Sequence, residues 1–218
     1  MAEWTEQLIY REKYGHLPST RDELLELIER QWKLDHDKIA EEEDKILSIP
    51  WEKIYIEALI VPKGTPRPRW SPRNNHFYVK GAKETKDYFA RIIQSNRIIC
   101  TRVNYSLTVY MPTPVSTMSH TEVYLAEKGI IRPTTTSDWD NLAKTYTDCL
   151  QGILLINDNI INPGRVEKFF SLKPRVEIEI SYQCGFDSRY NAKKAEGTKA
   201  FKQLQSDGRL YDNGIFLV

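Results

Sequence analysis

Residues 138–153 hold the pattern that most constrains this chain: a helix with one apolar side and one polar stripe. At about 100° per residue, Asp140, Lys144 and Asp148 fall on one line along the helix. The opposite side is apolar and consists of Leu142, Ala143, Tyr146, Cys149, Leu150 and Ile153. An apolar arc of this width packs against a sheet. We therefore predict a helix that starts at Asp140, lies on a sheet and holds its polar stripe outward.

Carboxylates surround this helix. Asp138 precedes it by two residues in an expected extended entry, and Asn157-Asp158 follows the apolar run 153–156. Several carboxylates in one place repel one another unless a cation neutralises them. Hard oxygen ligands suit magnesium or manganese, and a nearby lysine such as Lys144 can stabilise charge on a phosphate.

Simpler interpretations exist for the same residues. Asp-x-Asp-Asn is also typical of a helix cap followed by a solvated turn. Lys144 and Asp148 can form an exposed ion pair worth a few tenths of a kcal/mol. A calcium loop is excluded, because it needs Gly and Glu where this chain has Ala143 and Cys149. The four histidines are scattered singly and form no set for nucleophilic catalysis.

The extended pattern is more specific than any single motif. It consists of Asp138-x-Asp140-Asn141-Leu142-x-Lys144-x-x-x-Asp148-x-Leu150-x-Gly152, Asn157-Asp158, Val166-Glu167-Lys168 and Lys173-Pro174-Arg175-Val176-Glu177-Ile178. In this order and spacing the motifs resemble the RusA family of Holliday junction resolvases. Upstream, residues 64–69 (Gly-Thr-Pro-Arg-Pro-Arg) resemble the early Pro/Arg-rich motif of that family. The resemblance covers roughly residues 52–184.

The resemblance implies a magnesium-dependent endonuclease that acts on branched DNA as a homodimer. By position, Asp138, Asp140 and Asp158 resemble the metal-binding carboxylates of the family, and Lys144 resembles its catalytic lysine. One residue departs from the pattern: the family usually has Asp-Asp where this chain has Asn157-Asp158. An amide oxygen can still coordinate a metal, but the site carries one negative charge fewer.

A basic, aromatic segment at residues 63–86, here called the basic arm, precedes the central helix. Aromatic residues at 70, 77 and 78 are interleaved with basic residues, which supply phosphate contacts while aromatics stack on unpaired bases. Prolines are expected to keep this arm extended. A basic solvated loop is the simpler alternative. The predicted DNA-binding residues, including one lysine further along the chain, are Lys63, Arg67, Arg69, Arg73, Lys80, Lys83, Lys86 and Lys168.

The periodicity predicts an α+β fold, with a mixed sheet of about four strands and helices packed on it. Alternating apolar residues predict strands near 51–62 and 105–110. Two further strands, 160–172 and 175–183, are joined at Lys173-Pro174, which favours a hairpin. Helices are predicted over residues 83–98 and 122–128.

Charge divides the chain. Residues 1–50 hold thirteen acidic and seven basic residues, whereas residues 51–105 hold four acidic and eleven basic ones. We therefore predict an acidic helical extension over residues 1–50, with helices at 6–14 and 22–32, and a second domain over 51–185, which the resemblance implies is a RusA-like nuclease domain. Residues 186–218 form a tail with a helix at 194–205, for which a frayed terminus is the default expectation and a docking tail or dimer strap the alternative.

Composition excludes several classes of protein. The chain is 40% hydrophobic and 28% charged, it lacks a run of eighteen apolar residues, and no signal peptide pattern is visible. We expect no membrane association and a cytoplasmic protein of bacterial or phage origin. Cys100, Cys149 and Cys184 are odd in number and widely spaced, which favours buried thiols over disulfides or a zinc site.

Three hypotheses follow. The first is a metal-dependent, structure-selective endodeoxyribonuclease that resolves four-way junctions. The second is a non-catalytic or weakly catalytic protein that binds branched DNA through a degraded metal site. In the third, residues 1–50 recruit a protein partner and the core is a scaffold.

Overall fold

The computed structural model describes residues 20–64, 69–71, 76–78, 82–95, 98–135 and 137–209. The chain divides between Leu47 and Ser48 into two compact units. The predicted helix at 6–14 and the apolar end at 215–218 lie outside the described residues.

The described part of the first unit consists of two helices, α1 (Arg21–Gln31) and α2 (His36–Leu47). Thr20 begins α1 with a reciprocal cap: its hydroxyl accepts a hydrogen bond from Glu23 N at 3.2 Å, and the Glu23 carboxylate accepts one from Thr20 N at 3.3 Å. Helix α2 contains no buried residue. The apolar side chains of this unit, such as Leu25 and Leu47, are largely exposed.

The described residues of the second unit form six strands: β1 (Trp51–Ala58), β2 (Arg69–Ser71), β3 (His76–Tyr78), β4 (Val103–Pro112), β5 (Ile161–Ser171) and β6 (Arg175–Gln183). Four of them form one sheet in the order β1-β6-β4-β5, in which only the β4–β5 pair is parallel. This mixed four-stranded sheet confirms the predicted α+β class. Strands β2 and β3 form a separate antiparallel ribbon within the basic arm, so the described part of the arm is a paired ribbon and not a single extended segment.

The predicted hairpin between the last two strands is wrong. Both strands exist at nearly the predicted positions, but β4 lies between them and hydrogen-bonds to each. The three-residue link at 172–174 therefore steps across β4. The reason is burial. β4 buries alternate residues along most of its length, and in the centre of the sheet its backbone hydrogen-bonds to a neighbouring strand on each side.

The core lies between the sheet and helices α3 (Ala82–Ile92) and α5 (Trp139–Leu150). Leu142, Tyr146 and Leu150 of α5 are completely buried, which confirms the predicted apolar side. Phe89 of α3 meets the Tyr146 ring edge to face at 5.9 Å between centroids. A further helix, α4 (His120–Glu127), matches the prediction at 122–128.

Helix α3 ends six residues before its predicted end at 98. Beyond this end, Ile98 and Ile99 are 1% exposed and belong to the core. Ile99 forms a β-bridge with Leu155 in the segment that follows α5. Extended backbone is needed for that bridge, so a helix could not continue through these residues.

The C-terminal region contains two helices, α6 (Arg189–Glu196) and α7 (Lys199–Ser206), where the sequence predicted one. The break falls at Gly197-Thr198, and the Thr198 hydroxyl caps α7 by accepting a hydrogen bond from Phe201 N at 3.2 Å. Phe186, Ala192 and Phe201 are buried with Cys100 in a second apolar cluster. Residues 186–206 are therefore part of the packed unit, and the expectation of a frayed terminus is wrong for them.

All three cysteines are free thiols, and Cys100 and Cys149 are buried, as predicted. Within the described ranges, no helix combines the length and the apolar character needed to span a lipid bilayer.

Disulfide trapping tests the central position of β4. Thr108 of β4 pairs with Glu177 of β6 on one side and with Glu167 of β5 on the other. Paired Cα atoms in antiparallel strands lie about 4.5–5.5 Å apart, within disulfide reach. Glu167 and Glu177 lie two strand spacings apart, roughly 9.5 Å, which is beyond that reach.

We therefore expect Thr108→Cys with Glu177→Cys to cross-link on mild oxidation, as detected by peptide mass spectrometry. The matched control, Glu167→Cys with Glu177→Cys, should stay reduced. A direct hairpin with the link 172–174 would instead pair Phe169 with Glu177, so efficient cross-linking of Phe169→Cys with Glu177→Cys would support it.

Candidate active site

Helix α5 begins at Trp139 with Asp138 as its N-cap, so the predicted start at Asp140 is late by one residue. The Asp138 backbone is extended, and its carbonyl accepts the first helical hydrogen bond, from Leu142 N at 3.0 Å. The Asp138 side chain forms no capping bond within the described residues. Asp138 and Asp140 are both exposed at the helix end where the backbone dipole favours negative charge.

The polar stripe is arranged as predicted. Asp140, Lys144 and Asp148 are exposed along α5 while its opposite side is buried. The ion pairs between described residues do not include one from Lys144 to Asp140 or Asp148. The simpler interpretation of the stripe as an exposed Lys144–Asp148 pair is therefore not observed.

Ser137, immediately before the N-cap Asp138, connects three parts of the chain. Its hydroxyl accepts a hydrogen bond from Gly64 N at 3.2 Å, and its carbonyl accepts one from Lys168 Nζ of β5 at 3.3 Å. The entry to α5 is thus tied to the start of the basic arm and to the sheet. Both ties act on the backbone or side chain of the residue next to Asp138.

A further hydrogen bond joins the basic arm to α5, about one turn before the C-terminal end of the helix. The Tyr146 hydroxyl accepts a hydrogen bond from Lys63 N at 3.2 Å. Burial raises the pKa of Tyr146 to about 12, although the Lys63 N–H acts in the opposite direction. The hydroxyl stays neutral at physiological pH. Residues 63–64 are therefore bonded both to Tyr146 within the helix and to Ser137 before its start. The sequence placed Tyr146 on the apolar side and gave no signal for the role of its hydroxyl.

Asn157 and Asp158 lie on a different element. Residues Asp158–Ile160 form a single 3₁₀ turn before β5, and the Asn157 side chain accepts a hydrogen bond from Asn159 N at 3.4 Å. Asn157 is half-buried and Asp158 is exposed. The residue that departs from the family pattern therefore caps this turn.

The described side chains do not form a complete metal cage. Among them, no group of three or more His, Cys, Asp or Glu residues is placed to hold a metal ion. The donor chemistry nevertheless fits a hard divalent cation, since Asp138, Asp140 and Asp158 offer exposed carboxylate oxygens. Two of the three candidates belong to one helix start, and the third belongs to the turn.

The predicted DNA-binding residues fall into four groups. Lys63 and Lys83 are exposed. Lys86 Nζ donates a hydrogen bond to the Gln151 carbonyl at 2.9 Å, at the C-terminal end of α5, and Lys168 Nζ donates to Ser137 as described above. Arg69 lies on β2, of which only the backbone is described. The remaining three, Arg67, Arg73 and Lys80, lie outside the described residues.

Gly64→Ala tests the close approach of the arm to α5. A Cβ at this position would lie 2.5 Å from Asn141 Nδ2 and 3.1 Å from Ser137 Oγ. Overpacking of this kind costs about 1–3 kcal/mol. We expect the free energy of unfolding, measured by urea titration, to fall by that amount.

The control is the same change in an Asn141→Ala background, where the obstructing amide is absent. The cost of Gly64→Ala should then fall below about 1 kcal/mol, as expected for two residues that touch. Equal costs in both backgrounds would show that the Asn141 contact does not limit the approach.

Comparisons with known proteins identify the family of this chain. A family described as Endodeoxyribonuclease RusA matches residues 60–181, which include the basic arm, α5, the 3₁₀ turn, all of β5 and most of β6. The chain is also 36% identical over 126 residues to the uncharacterized protein YqaN of Bacillus subtilis (strain 168), in an alignment that covers 55% of this chain and 89% of that protein. The chain belongs to the RusA family of endodeoxyribonucleases.

Proposed function

We propose that this protein is a metal-dependent, structure-selective endodeoxyribonuclease that resolves four-way DNA junctions by hydrolysing phosphodiester bonds. The observation that carries the proposal is the start of α5, where Asp138, Asp140 and Lys144 are exposed on a helix whose other side is buried. Two copies related by a two-fold axis would cut two strands symmetrically, so the proposal includes a homodimer.

Asp138, Asp140 and Asp158 are the proposed ligands of magnesium or manganese. Such an ion, when bound, polarises a phosphoryl oxygen and lowers the pKa of a water molecule that attacks phosphorus. Asp138 supports this role because its carboxylate is not used as a helix cap in the described part of the chain.

Lys144 is proposed to stabilise negative charge on the phosphate or on the leaving oxygen. Its ammonium group is exposed, and within the described residues it forms no ion pair with the aspartates of its own stripe. Hydrogen-bond donors fixed before the reaction stabilise developing charge by a few kcal/mol. The buried face of α5 provides that fixation.

The basic arm is proposed to hold branched DNA against α5. Hydrogen bonds from Lys63 N to Tyr146 and from Gly64 N to Ser137 set the register between arm and helix. A strand whose phosphates contact the arm is thereby held at a defined distance from Asp138 and Asp140. Lys86 and Lys168 would contact phosphates while retaining or exchanging their bonds to backbone carbonyls.

Asp140→Asn tests the catalytic role, with Asp148→Asn as its matched control. Both residues are exposed on the same stripe of α5 and both changes remove one negative charge. Purified protein is incubated with a synthetic immobile four-way junction or an equal-length duplex, each with magnesium, manganese or EDTA. We expect paired, metal-dependent nicks in the junction only, lost by about 10²-fold or more in Asp140→Asn, because the metal site loses a ligand.

Asp148→Asn should cleave within a fewfold of the unchanged protein. Junction binding by Asp140→Asn should be retained or strengthened, since a carboxylate that repels phosphate is removed. Equal loss in both variants, or intact junctions under every metal, would refute the catalytic proposal.

The second candidate function, a branched-DNA binding protein with weak or no cleavage, is favoured by one observation. Asn157 stands where the family usually has Asp, and its side chain serves as a turn cap. Tight junction binding without cleavage would be the result expected from that alternative.

Asn157→Asp separates the two candidates. An aspartate can accept the same hydrogen bond from Asn159 N, because Asp and Asn cap helical turns equally well, so the turn is preserved. The added charge should lower the half-saturating magnesium concentration for cleavage severalfold. Cleavage that appears only in Asn157→Asp would instead identify the unchanged protein as a binding protein.

A further inference from the structure

A cleft of about 400 Å³, lined by both apolar and polar side chains, lies beside the Asn157-Asp158 turn. One wall comes from residues 100–102 and from residues 156, 157, 159, 160 and 162. The other comes from residues 186–187, α6 and the start of α7. Its volume falls within the range of ligand-binding sites, about 300–1,000 Å³. The cleft uses helices that lie beyond residue 181, where the match to the family ends.

The two walls are fixed to each other by packing. Phe186, Ala192 and Phe201 on the C-terminal side are buried together with Cys100 on the core side. Arg102 Nε donates a hydrogen bond to the Asn162 carbonyl at 3.1 Å, which joins the two segments of the first wall. The cleft is therefore formed in the folded chain and needs no partner to assemble it.

The charged groups that line the cleft favour an anion. Two cations, Arg102 and Lys194, face one carboxylate, Asp187, so the lining carries a net charge of +1. Asp187 Oδ1 already accepts hydrogen bonds from Asn191 Nδ2 at 2.6 Å and from Ser188 Oγ at 3.3 Å. Burial raises the pKa of the Cys100 thiol to about 11, so this group adds no negative charge at neutral pH.

Both cations retain donors for a ligand. The bond from Arg102 to Asn162 uses only Nε, and a guanidinium has two further amino groups. Lys194 is exposed, with Nζ 5.3 Å from the centre of the Tyr190 ring. Asparagine side chains at 157, 159, 162 and 191 also line the cleft. Lysine, arginine and asparagine are all typical partners of phosphate oxygens.

The surroundings indicate where the anion comes from. Residues 187–209 contain six basic and three acidic residues, so the C-terminal helices are basic as a whole. Asn157 lines the cleft, and the adjacent Asp158 is a proposed metal ligand. A polyanion that reaches Asp158 thus has a basic, open cleft next to it.

We propose that this cleft binds the phosphate backbone of a DNA strand beside the cleavage site, which gives this chain a second DNA contact through its C-terminal helices. The inference rests on the proposed function, because it takes the same DNA as its ligand. Lys194 and Arg102 supply the charge, and the asparagine amides supply neutral donors. Since phosphate carries no base information, the contact adds affinity without sequence preference.

Lys194→Gln tests the proposal, with Lys193→Gln as its matched control. Both lysines are exposed on α6, but only Lys194 lines the cleft. Binding of the full chain to a fluorescent four-way junction is measured by anisotropy over a range of salt concentrations, in EDTA so that cleavage plays no part. Loss of one phosphate contact should weaken binding severalfold and reduce the slope of log K against log salt by about 1.

We expect that reduction in Lys194→Gln, a larger loss in Lys194→Glu, and little change in Lys193→Gln. Equal effects of the Lys193 and Lys194 changes, or no effect of either, would overturn the cleft while leaving the proposed nuclease intact. If the unchanged protein fails to bind the junction, both the cleft and the proposed function are refuted.

Discussion

The burial of one face of α5 is the interaction on which the rest of the structure depends. Leu142, Tyr146 and Leu150 are completely removed from solvent, and burial of each large apolar side chain contributes about 1.5–3 kcal/mol. These contacts fix the rotation of the helix about its own axis. Because residues four apart share a face, the same rotation holds Asp140, Lys144 and Asp148 in solvent. The core thus determines which groups of the helix are available for chemistry.

Hydrogen bonds then connect this helix to the segments around it. The Ser137 hydroxyl accepts a hydrogen bond from Gly64 N, and its carbonyl accepts one from Lys168 Nζ. The Tyr146 hydroxyl accepts one from Lys63 N. Each bond contributes only about 0.5–1.5 kcal/mol to stability. Their greater effect is positional, since they hold the arm, the entry to α5 and β5 in one arrangement. The missing side chain at Gly64 is part of this arrangement, because it lets the arm backbone approach Asn141 closely.

Features that depend on local sequence were predictable, and those that depend on distant partners were not. The polar stripe and buried face of α5 follow from helical periodicity, and the positions of β5 and β6 follow from alternation. The hairpin prediction failed because it assumed that strands joined by a short link pair with each other. Here β4 lies between them. Its residues are some sixty positions upstream in the chain, so no local pattern near the link shows that it pairs with both strands. The end of α3 was misplaced for the same reason, since Ile99 pairs with Leu155. The hydroxyls of Ser137 and Tyr146 carry no periodic signal that marks them as anchors.

The proposed metal ligands are divided between two elements of the fold. Asp138 and Asp140 lie on a helix start, and Asp158 lies on a separate turn. The two elements are also supported differently: the helix start is tied to the arm and β5, whereas Asn157 of the turn borders the cleft formed with α6 and α7. A DNA strand bound by the arm would lie next to the start of α5, and a strand bound in the cleft would lie next to the Asn157-Asp158 turn. If both proposals hold, a substrate long enough to reach the arm and the cleft would contact the surroundings of both elements that carry the proposed metal ligands.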